Sequence, residues 1–223
     1  MTNSFYSRIG KRWFDAFCAF VGLILLSPFL LMLGLLVLLA SGPPVIFRQE
    51  RTGRDGKPFL IWKFRSMTNE LAGTGALLTA SGDSRITPLG RWLRRTKCDE
   101  LPQLVNVLMG DMSLVGPRPE VPAYTRRLTP RQREVLKARP GITGPAANQY
   151  ISEETLLANQ PDKEAFYLNV LLPAKLESDL RYAENITFTA DFKLIVNTCA
   201  RLLLKSADIG KLKPNAPRHG IQL

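Results

Sequence analysis

The chain has 223 residues, enough for one domain with its own hydrophobic core, or for a small domain with an appended element. Its 30 Lys and Arg residues against 19 Asp and Glu give a formal charge of +11, which favours an anionic partner such as nucleic acid, anionic lipid or a polyphosphate. Three widely spaced cysteines and a single histidine argue against a disulfide framework, a zinc site and a His-based catalytic triad. Carboxylates are therefore expected to carry any nucleophilic role.

An apolar segment runs from Ala16 to Ala40 without one charged residue. About 20 apolar residues suffice to cross a bilayer core, and the run is too long for the apolar part of a cleaved signal peptide. Basic residues stand on both sides of it, and the positive-inside rule places both ends in the cytoplasm. These residues are Arg8, Lys11 and Arg12 before the segment, and Arg48, Arg51 and Arg54 after it.

Ser27 and Pro28 lie near the centre of this segment. Proline removes a backbone donor and clashes with the preceding turn, while a serine hydroxyl can bond the carbonyl that is freed. A helix–break–helix that enters and leaves one leaflet meets the charge and the proline constraints together. An ordinary kinked spanning helix is the alternative, and the residues alone leave both open.

The rest of the chain is predicted to be mainly helical with a small β-hairpin. Two β-prone runs flank Asp55-Gly56, which is a strong hairpin signal. Residues 68–90 are predicted to form a surface loop, and a helix is predicted to begin near Asp99 and to stop by Gly110. Further helices are expected at about 119–127, 130–138, 152–160, 163–184 and 188–205, separated by proline and glycine.

Two of the predicted helical segments combine cations with apolar residues. The segment RITPLGRWLRRTK, residues 85–97, is short and basic, which favours a position in the headgroup plane of an anionic leaflet. The segment DFKLIVNTCARLLLKS, residues 191–206, has a periodicity that more often belongs to a helix packed on a core.

Adjacent carboxylates, Asp99 and Glu100, stand in the stretch TKCDELPQLVNVLMGD, just where the apolar helix is predicted to begin. Helix capping is one explanation, because Asp is a favoured N-cap residue and Glu suits the positive end of the helix dipole. The other explanation is phosphate chemistry, since cations gather in four short stretches around the pair. These stretches are KFRSM with Lys63 and Arg65, the Arg94-Arg95 pair, GPRPE with Arg118, and ARPGITGP with Arg139.

The Ser27-Pro28 break, KFRSM, DELPQLVNVLMGDMSLVGPRP and RPGITG, in this order, closely resemble the bacterial sugar transferases, the monotopic phosphoglycosyltransferases that start membrane glycan assembly. The likeness covers nearly the whole chain and has the character of the minimal form of that family. It implies a re-entrant membrane helix in residues 1–42, a cytosolic catalytic domain with interfacial amphipathic helices in residues 43–205, and a tail in residues 206–223.

The resemblance also implies an activity. Asp99 would attack the β-phosphate of a nucleoside-diphosphate sugar, with UDP the expected carrier, and form an aspartyl phosphosugar that undecaprenyl phosphate then takes. Glu100 would position or deprotonate the acceptor or help to hold Mg²⁺, which offsets the repulsion between a carboxylate and a diphosphate. Lys63 and Arg94 match the family's phosphate ligands, and Arg118 and Arg139 are expected to bind substrate as well.

The expected setting follows from the same resemblance. The enzyme is predicted to lie in the bacterial inner membrane with its site facing the cytoplasm, among anionic phospholipids; nucleic acid is not an expected partner, and homo-oligomerisation is left open. A basic nucleic-acid-binding membrane protein and a non-catalytic scaffold are the rival hypotheses. The stretch PAANQYISEETLLANQ after RPGITG departs from the familiar family pattern, so the sugar cannot be carried over, and Cys98 is expected to pack as a small apolar side chain.

Overall fold

A computed structural model describes residues 5–68, 78–79 and 82–207. A π-helical turn, Tyr6–Gly10, leads into α1, Lys11–Ser41, which is the one helix in the described residues that is long and apolar enough to cross a membrane. The helix continues through Ser27 and Pro28, so the predicted break is not confirmed. Pro28 has no N–H for the Ile24 carbonyl, and the Ser27 hydroxyl donates to that carbonyl instead, at 2.8 Å.

Both ends of α1 are bound to the remainder of the protein. At its start, the Lys11 ammonium lies 2.5 Å from the Asp191 carboxylate, and Arg12 donates to the Val107 carbonyl at 2.6 Å. At its end, the Arg65 guanidinium bonds the carbonyls of Ser41 and Gly42. Since the two ends are 30 residues apart, the helix lies along the domain rather than leaving it.

The middle of α1 also packs on the domain, and its opposite face is exposed and apolar. Ala19 contacts a cluster with Ile61 and Val107, and Leu33 and Val37 contact Phe64 and Leu93. The exposed side chains recur every three or four residues, which is the spacing of one helix face. They include Trp13, Phe17, Phe20, Ile24, Leu31, Leu35 and Leu39.

The predicted hairpin is confirmed. Strands β1, Ile46–Thr52, and β2, Pro58–Phe64, pair antiparallel with Ile46 opposite Phe64. A 3₁₀ turn, Arg54–Gly56, joins them, and both Asp55 and Gly56 have positive φ, as the Asp-Gly signal requires. The hairpin lays Lys63 beside the region that carries Asp99 and Glu100.

A parallel pair of very short strands was not predicted. Strand β3, Ser113–Val115, pairs with β4, Gly141–Thr143, and so brings GPRP and RPGITG together. A Cβ on Gly116 would lie 2.3 Å from the Arg139 carbonyl oxygen, and one on Gly141 would lie 2.1 Å from the Gly116 nitrogen. The glycines of both motifs are therefore needed for this close backbone approach.

The predicted helices appear in the predicted order, most with shorter bounds. The remaining helices are α2 Pro88–Thr96, α3 Gln103–Met109, α4 Pro122–Thr125, α5 Pro130–Arg133, α6 Pro145–Gln149, α7 Glu153–Ala158, α8 Lys163–Phe166, α9 Leu172–Glu184 and α10 Phe188–Ala207. The last extends two residues beyond its predicted end, and α6 was not predicted. A π-helical segment, Tyr167–Leu171, joins α8 to α9, and a 3₁₀ turn, Glu134–Lys137, follows α5. The main core lies between α4, α7 and α9 around Tyr124, Leu157, Tyr167 and Leu176.

Several sequence predictions fall at the edges of what is described. Of the predicted surface loop 68–90, residues 69–77 and 80–81 lie outside the described residues, while Pro88 already begins α2. The tail from residue 208 onward, with His219, lies outside them as well. The cysteines are free, and Cys98 packs against the cluster of Leu33 and Leu93, as expected of a small apolar side chain.

Candidate active site

Asp99 and Glu100 lie in a 3₁₀ turn, Cys98–Glu100, between α2 and α3. Lys97 precedes them with φ of 59°, a left-handed conformation that ends α2 and turns the chain inward. The two carboxylate residues are buried, at 4% and 6% exposure. Acidic residues are rarely this buried unless something pairs with them, so the surroundings of each carboxylate decide what it can do.

The capping interpretation is wrong for this pair. Helix α3 begins at Gln103, later than predicted, because the turn and Pro102 precede it, and it makes no side-chain cap hydrogen bond. The Oδ1 atom of Asp99 is buried without any hydrogen-bond partner among the described residues. The end of the helix is as predicted, since Gly110 has φ of 97° and closes α3.

Glu100 is held by two cations. Its Oε1 accepts from Lys63 Nζ at 2.9 Å and from the Arg118 guanidinium at 3.1 Å. Burial opposes ionisation of this carboxyl, but Lys63 and Arg118 outweigh it and hold the pKa of Glu100 well below its usual range. Glu100 is therefore a fixed negative charge that draws one cation from the hairpin and one from the GPRP loop.

Asp99 is in the opposite electrostatic situation. Burial, and after it the charge of Glu100, raise the pKa of Asp99 above its ordinary value, although Lys63 and Lys97 pull it down. A buried carboxylate without a hydrogen-bond partner is poorly solvated, and such a group is a better nucleophile than one already bonded. The adjacent residues thus differ in role: one organises charge, and the other has an unused oxygen.

Arg118 is fixed from its backbone as well as from its guanidinium. Its N–H donates to Asp179 Oδ2 at 3.3 Å, and Asp179 Oδ1 accepts from the Ala146 N–H at 3.1 Å. Burial raises the pKa of Asp179 to about 6. Asp179 therefore ties the GPRP loop to the start of α6, and sequence reasoning missed it because it lies 61 residues from Arg118.

The other two predicted ligands, Arg94 and Arg139, lie in different places. Arg94 reaches the site region, where its guanidinium pairs with the Glu154 carboxylate of α7. Arg139 is half-buried and does not line the cavity that Lys63, Arg94 and Arg118 share. Burial, and then the nearby Arg54 and Arg12, lower its pKa, which indicates a cationic surface away from Glu100.

A cavity of about 830 Å³ lies beside Glu100. Cations are concentrated on one side of it, on α2 and the residues before it. The cavity-lining cations are Arg51, Lys63, Arg85, Arg91, Arg94, Arg95, Lys97, Arg118 and Lys175. Such a wall suits a polyanionic ligand such as a diphosphate.

Several charged cavity residues were not singled out from the sequence as ligands. Among them are Arg51, Glu120, Glu153 and Lys175. Glu120 directly follows GPRP, so its position beside a ligand motif was an available signal. Glu153 and Lys175 lie far apart in the chain and carry no such signal.

The metal fit rests on the carboxylate pair. The described residues contain no group of three or more His, Cys, Asp or Glu side chains placed to hold a metal ion. Mg²⁺ is commonly held by one or two carboxylates together with substrate phosphates and water, and the unpartnered Oδ1 of Asp99 is a ligand of that kind. The residues present therefore fit a magnesium ion that arrives with a diphosphate.

Asp99, with its buried unbonded oxygen, adjoins Glu100, and Glu100 lines an arginine-rich cavity that Asp99 itself does not line. The chain belongs to the bacterial sugar transferase family, since residues 6–205 match the model of that family. The enzyme class predicted from the sequence, a transferase, is thereby confirmed.

Relatives with more specific names agree with this assignment. An exopolysaccharide production protein of Rhizobium leguminosarum bv. phaseoli is 38% identical over 195 residues, which cover 84% of this chain and 92% of that protein. The UDP-glucose:undecaprenyl-phosphate glucose-1-phosphate transferase of Escherichia coli K12 is 41% identical over 201 residues, covering 87% of this chain and 42% of that protein. A UDP-N-acetylgalactosamine-undecaprenyl-phosphate N-acetylgalactosaminephosphotransferase of Aeromonas hydrophila is 34% identical, covering 86% and 43%. The named sugars differ among these relatives.

Proposed function

We propose that the protein is a phosphoglycosyltransferase that moves a sugar phosphate from a UDP-sugar to undecaprenyl phosphate through a covalent intermediate on Asp99. The observation that carries this is the buried, unpartnered Oδ1 of Asp99 beside a Glu100 that two cations hold in place. The names of the relatives support the donor and acceptor classes. The product would be the first lipid-linked intermediate of a polysaccharide.

Two displacements at phosphorus account for the reaction. An Asp99 oxygen attacks the β-phosphorus of the donor, a bond forms between them, and the bond from that phosphorus to the α–β bridging oxygen breaks, releasing UMP. A phosphate oxygen of the lipid then attacks the same phosphorus and displaces the Asp99 carboxylate. Each step exchanges one P–O bond for another, so a soluble donor and a lipid acceptor use one site in turn.

Different cations would stabilise the charge of different phosphate groups. Lys63 and Arg118 stand next to the carboxylate pair, where charge develops on the migrating phosphoryl group. Arg94 is the nearest candidate for the departing nucleotide phosphate, and its pairing with Glu154 would be exchanged for the ligand. Mg²⁺, when bound with the donor, would reduce the repulsion between Asp99 and the diphosphate.

Among the roles open to Glu100, positioning is the best supported. A carboxylate with a pKa well below its usual range is a poor proton acceptor. It is well suited to hold Lys63 and Arg118 at one place on the cavity wall. Removing it would leave two neighbouring cations without a common anion.

The packing of α1 favours a re-entrant membrane element. Its two ends bind one domain, which supports a position of both ends on the same side of the membrane. The exposed apolar face would enter the leaflet. With the basic flanks of the segment, this side is expected to be the cytoplasm and the membrane the bacterial inner membrane.

Helix α10 extends the same surface. Its residues Phe188, Phe192 and Val196 are exposed, and the Phe188 ring meets Tyr6 and Phe14 edge-on at 5.6 and 5.3 Å. The aromatic contact joins the exposed face of α10 to the start of α1. Together with Trp92 of α2, which is 46% exposed, these residues support interfacial positions for both amphipathic helices.

A transfer assay tests the proposal. Protein in membrane vesicles is incubated with undecaprenyl phosphate, Mg²⁺ and a panel of radiolabelled UDP-sugars, and organic extracts are examined for labelled lipid. Transfer from at least one sugar, dependent on both lipid and Asp99, is expected. No labelled lipid from any donor would overturn the proposed function and favour a scaffold.

A further inference from the structure

A buried charged cluster of residues from the GPRPE loop, α7, α9 and the π-helical segment lines part of the cavity. Lys175 Nζ lies 3.1 Å from Glu120 Oε1, 3.1 Å from Glu153 Oε2 and 3.1 Å from the Tyr167 hydroxyl. The Lys175 side chain is only 4% exposed, whereas Glu120 is 11% and Glu153 is 24% exposed. We call these four residues the Lys175 cluster; all of them line the cavity.

The charge of this cluster differs from that of the rest of the cavity. With Arg51, which lines the same cavity, its two carboxylates are balanced by two cations, whereas five further cavity-lining cations, Arg85, Arg91, Arg94, Arg95 and Lys97, lie on α2 or within three residues of it. A diphosphate is drawn to the excess of cations around α2. The cluster has no such excess, which suits an uncharged part of the donor.

The hydrogen-bonding capacity of the cluster suits a hydroxylated ring. Each carboxylate oxygen accepts more than one hydrogen bond, so Glu120 and Glu153 can accept from hydroxyl groups while they hold Lys175. Arg51 lines the same cavity, and its Nε is buried without a partner in the described part of the chain, which is a donor in need of an acceptor. Hydroxyl groups supply the donor and the acceptor together.

The position of the cluster relative to Arg118 points to the sugar. Arg118 bonds Glu100, and Glu100 first, then Glu153 and Glu120, raise the pKa of Arg118. Arg118, which bonds Glu100, and Glu120, two residues later, line one cavity. A sugar attached to a phosphorus held at this loop would therefore share the cavity with the cluster.

We propose, on the basis of the proposed function, that Glu153, Glu120 and Arg51 form the subsite that recognises the hydroxyl groups of the transferred hexose. Glu153 lies in α7, within the stretch that departs from the familiar family pattern. A sugar-reading residue on a divergent element fits relatives that are named for different sugars. Glu153 is thereby a specificity-determining residue, and Lys175 a positioning residue that holds it.

The test compares donors in one assay. The best UDP-hexose from the panel is set against its deoxy analogues and hydroxyl epimers, and kcat/KM is measured for wild type and Glu153→Gln. Wild type is expected to reject the analogue that lacks the recognised hydroxyl by at least about tenfold, because the buried polar groups lose their partner. Glu153→Gln is expected to reduce that ratio by at least about threefold. Glu154→Gln, the neighbouring residue that pairs with Arg94, is the matched control and should change kcat/KM for all sugars by one factor.

A second variant guards against misfolding. Arg51→Lys keeps the charge and removes Nε, and it should shift the same sugar ratio. Equal scaling of all sugars in both variants, or a changed preference for UDP over 2′-deoxy-UDP donors with an unchanged sugar ratio, would overturn the subsite while leaving the proposed function intact. Absence of transfer by wild type from every donor would overturn both.

Discussion

At the scale of single residues, the feature of Asp99 that favours its reactivity also lowers the stability of the folded protein. Its Oδ1 is buried without a partner, and a buried polar atom left unpaired destabilises the folded state. Glu100, next to it, has two cations on its Oε1. The sequence indicated both residues as candidates but did not show that their pairing differs. The difference arises because Lys63 and Arg118, which belong to distant parts of the chain, both bind Glu100.

Asp99→Asn is expected to stabilise the protein. The folded pKa of Asp99 lies above its unfolded value, so ionisation costs stability as pH rises from the unfolded pKa, and the cost is fully present above the folded pKa. Removing the charge should raise the free energy of unfolding by about 1 kcal/mol at pH 7. Thermal unfolding in detergent at pH 7 measures this. A lower midpoint for the variant would show that Asp99 is stabilised by its surroundings.

The rate of the first half-reaction should depend on pH at both ends of its range. The acid limit should lie at a higher pH, and the basic limit at a lower pH, than ordinary carboxyl and lysine groups would give. The rate should rise as Asp99 ionises, at a pH above the ordinary carboxylate range, because the pKa of Asp99 is raised by burial. It should fall again as Lys63 loses its proton, earlier than an ordinary lysine, because burial lowers the pKa of Lys63. UMP release in a single turnover between pH 4 and 10 measures the profile. A rate that stays flat through the acid range would contradict the assignment of Asp99.

At the scale of elements, α1 is fixed by a buried polar cluster. Asp191 accepts from Lys11 at 2.5 Å, from Tyr6 at 2.6 Å and from Tyr182 at 2.5 Å. Asp15 accepts from the Ser113 hydroxyl at 2.7 Å, and Ser113 begins β3, which leads into GPRP. The start of the membrane element and the active-site loop are thus joined through one cluster.

Asp191→Asn should loosen this junction. Removing one partner of a buried ion pair typically costs about 3–5 kcal/mol, and among the described residues Lys11 would keep only Asp15 Oδ2, at 3.9 Å. Asp55→Asn is the matched control, since Asp55 pairs with Arg54 at the surface and asparagine tolerates its positive φ. Chemical denaturation of both variants in nanodiscs gives the comparison. Equal stability would show that the cluster does not anchor α1.

The orientation of α1 is open to direct labelling. In a background where the native cysteines are replaced by serine, Phe5→Cys and Lys57→Cys place labels at the two exposed flanks of the segment. Both should react with a membrane-impermeant maleimide only when the cytoplasmic face of inverted vesicles is presented. Labelling of the two positions from opposite sides would establish a spanning helix.

At the scale of the whole molecule, the sequence predicted what local signals determine. Asp55-Gly56 specified the hairpin, Gly110 ended α3, and residues 163–184 are helical throughout. Strands of three residues, such as β3 and β4, are too short to show alternation, and only the fit of Gly116 to Gly141 forms them. The Lys175 cluster was not predicted from the sequence, because Glu120, Glu153 and Lys175 come together only in the folded chain.

The structure shows where the positive charges lie, which composition does not. The sequence placed Arg139 with the phosphate ligands because it lies in RPGITG, yet the fold turns it toward Arg12 and Arg54. Arg12 belongs to α1, so this second cationic region lies near the start of the membrane element. Part of the +11 charge therefore lies outside the cavity.

Intact-protein mass spectrometry tests the central claim most directly. Protein is mixed with the active UDP-sugar and Mg²⁺ without lipid, quenched in acid and weighed. We predict a mass increase equal to one sugar phosphate on wild type, its loss when undecaprenyl phosphate is added before the quench, and no increase on Asp99→Asn, which keeps the shape of the side chain but is a poor nucleophile at phosphorus. An adduct on Asp99→Asn, or lipid-linked product from that variant at a rate near wild type, would contradict the account and indicate direct attack by the lipid phosphate.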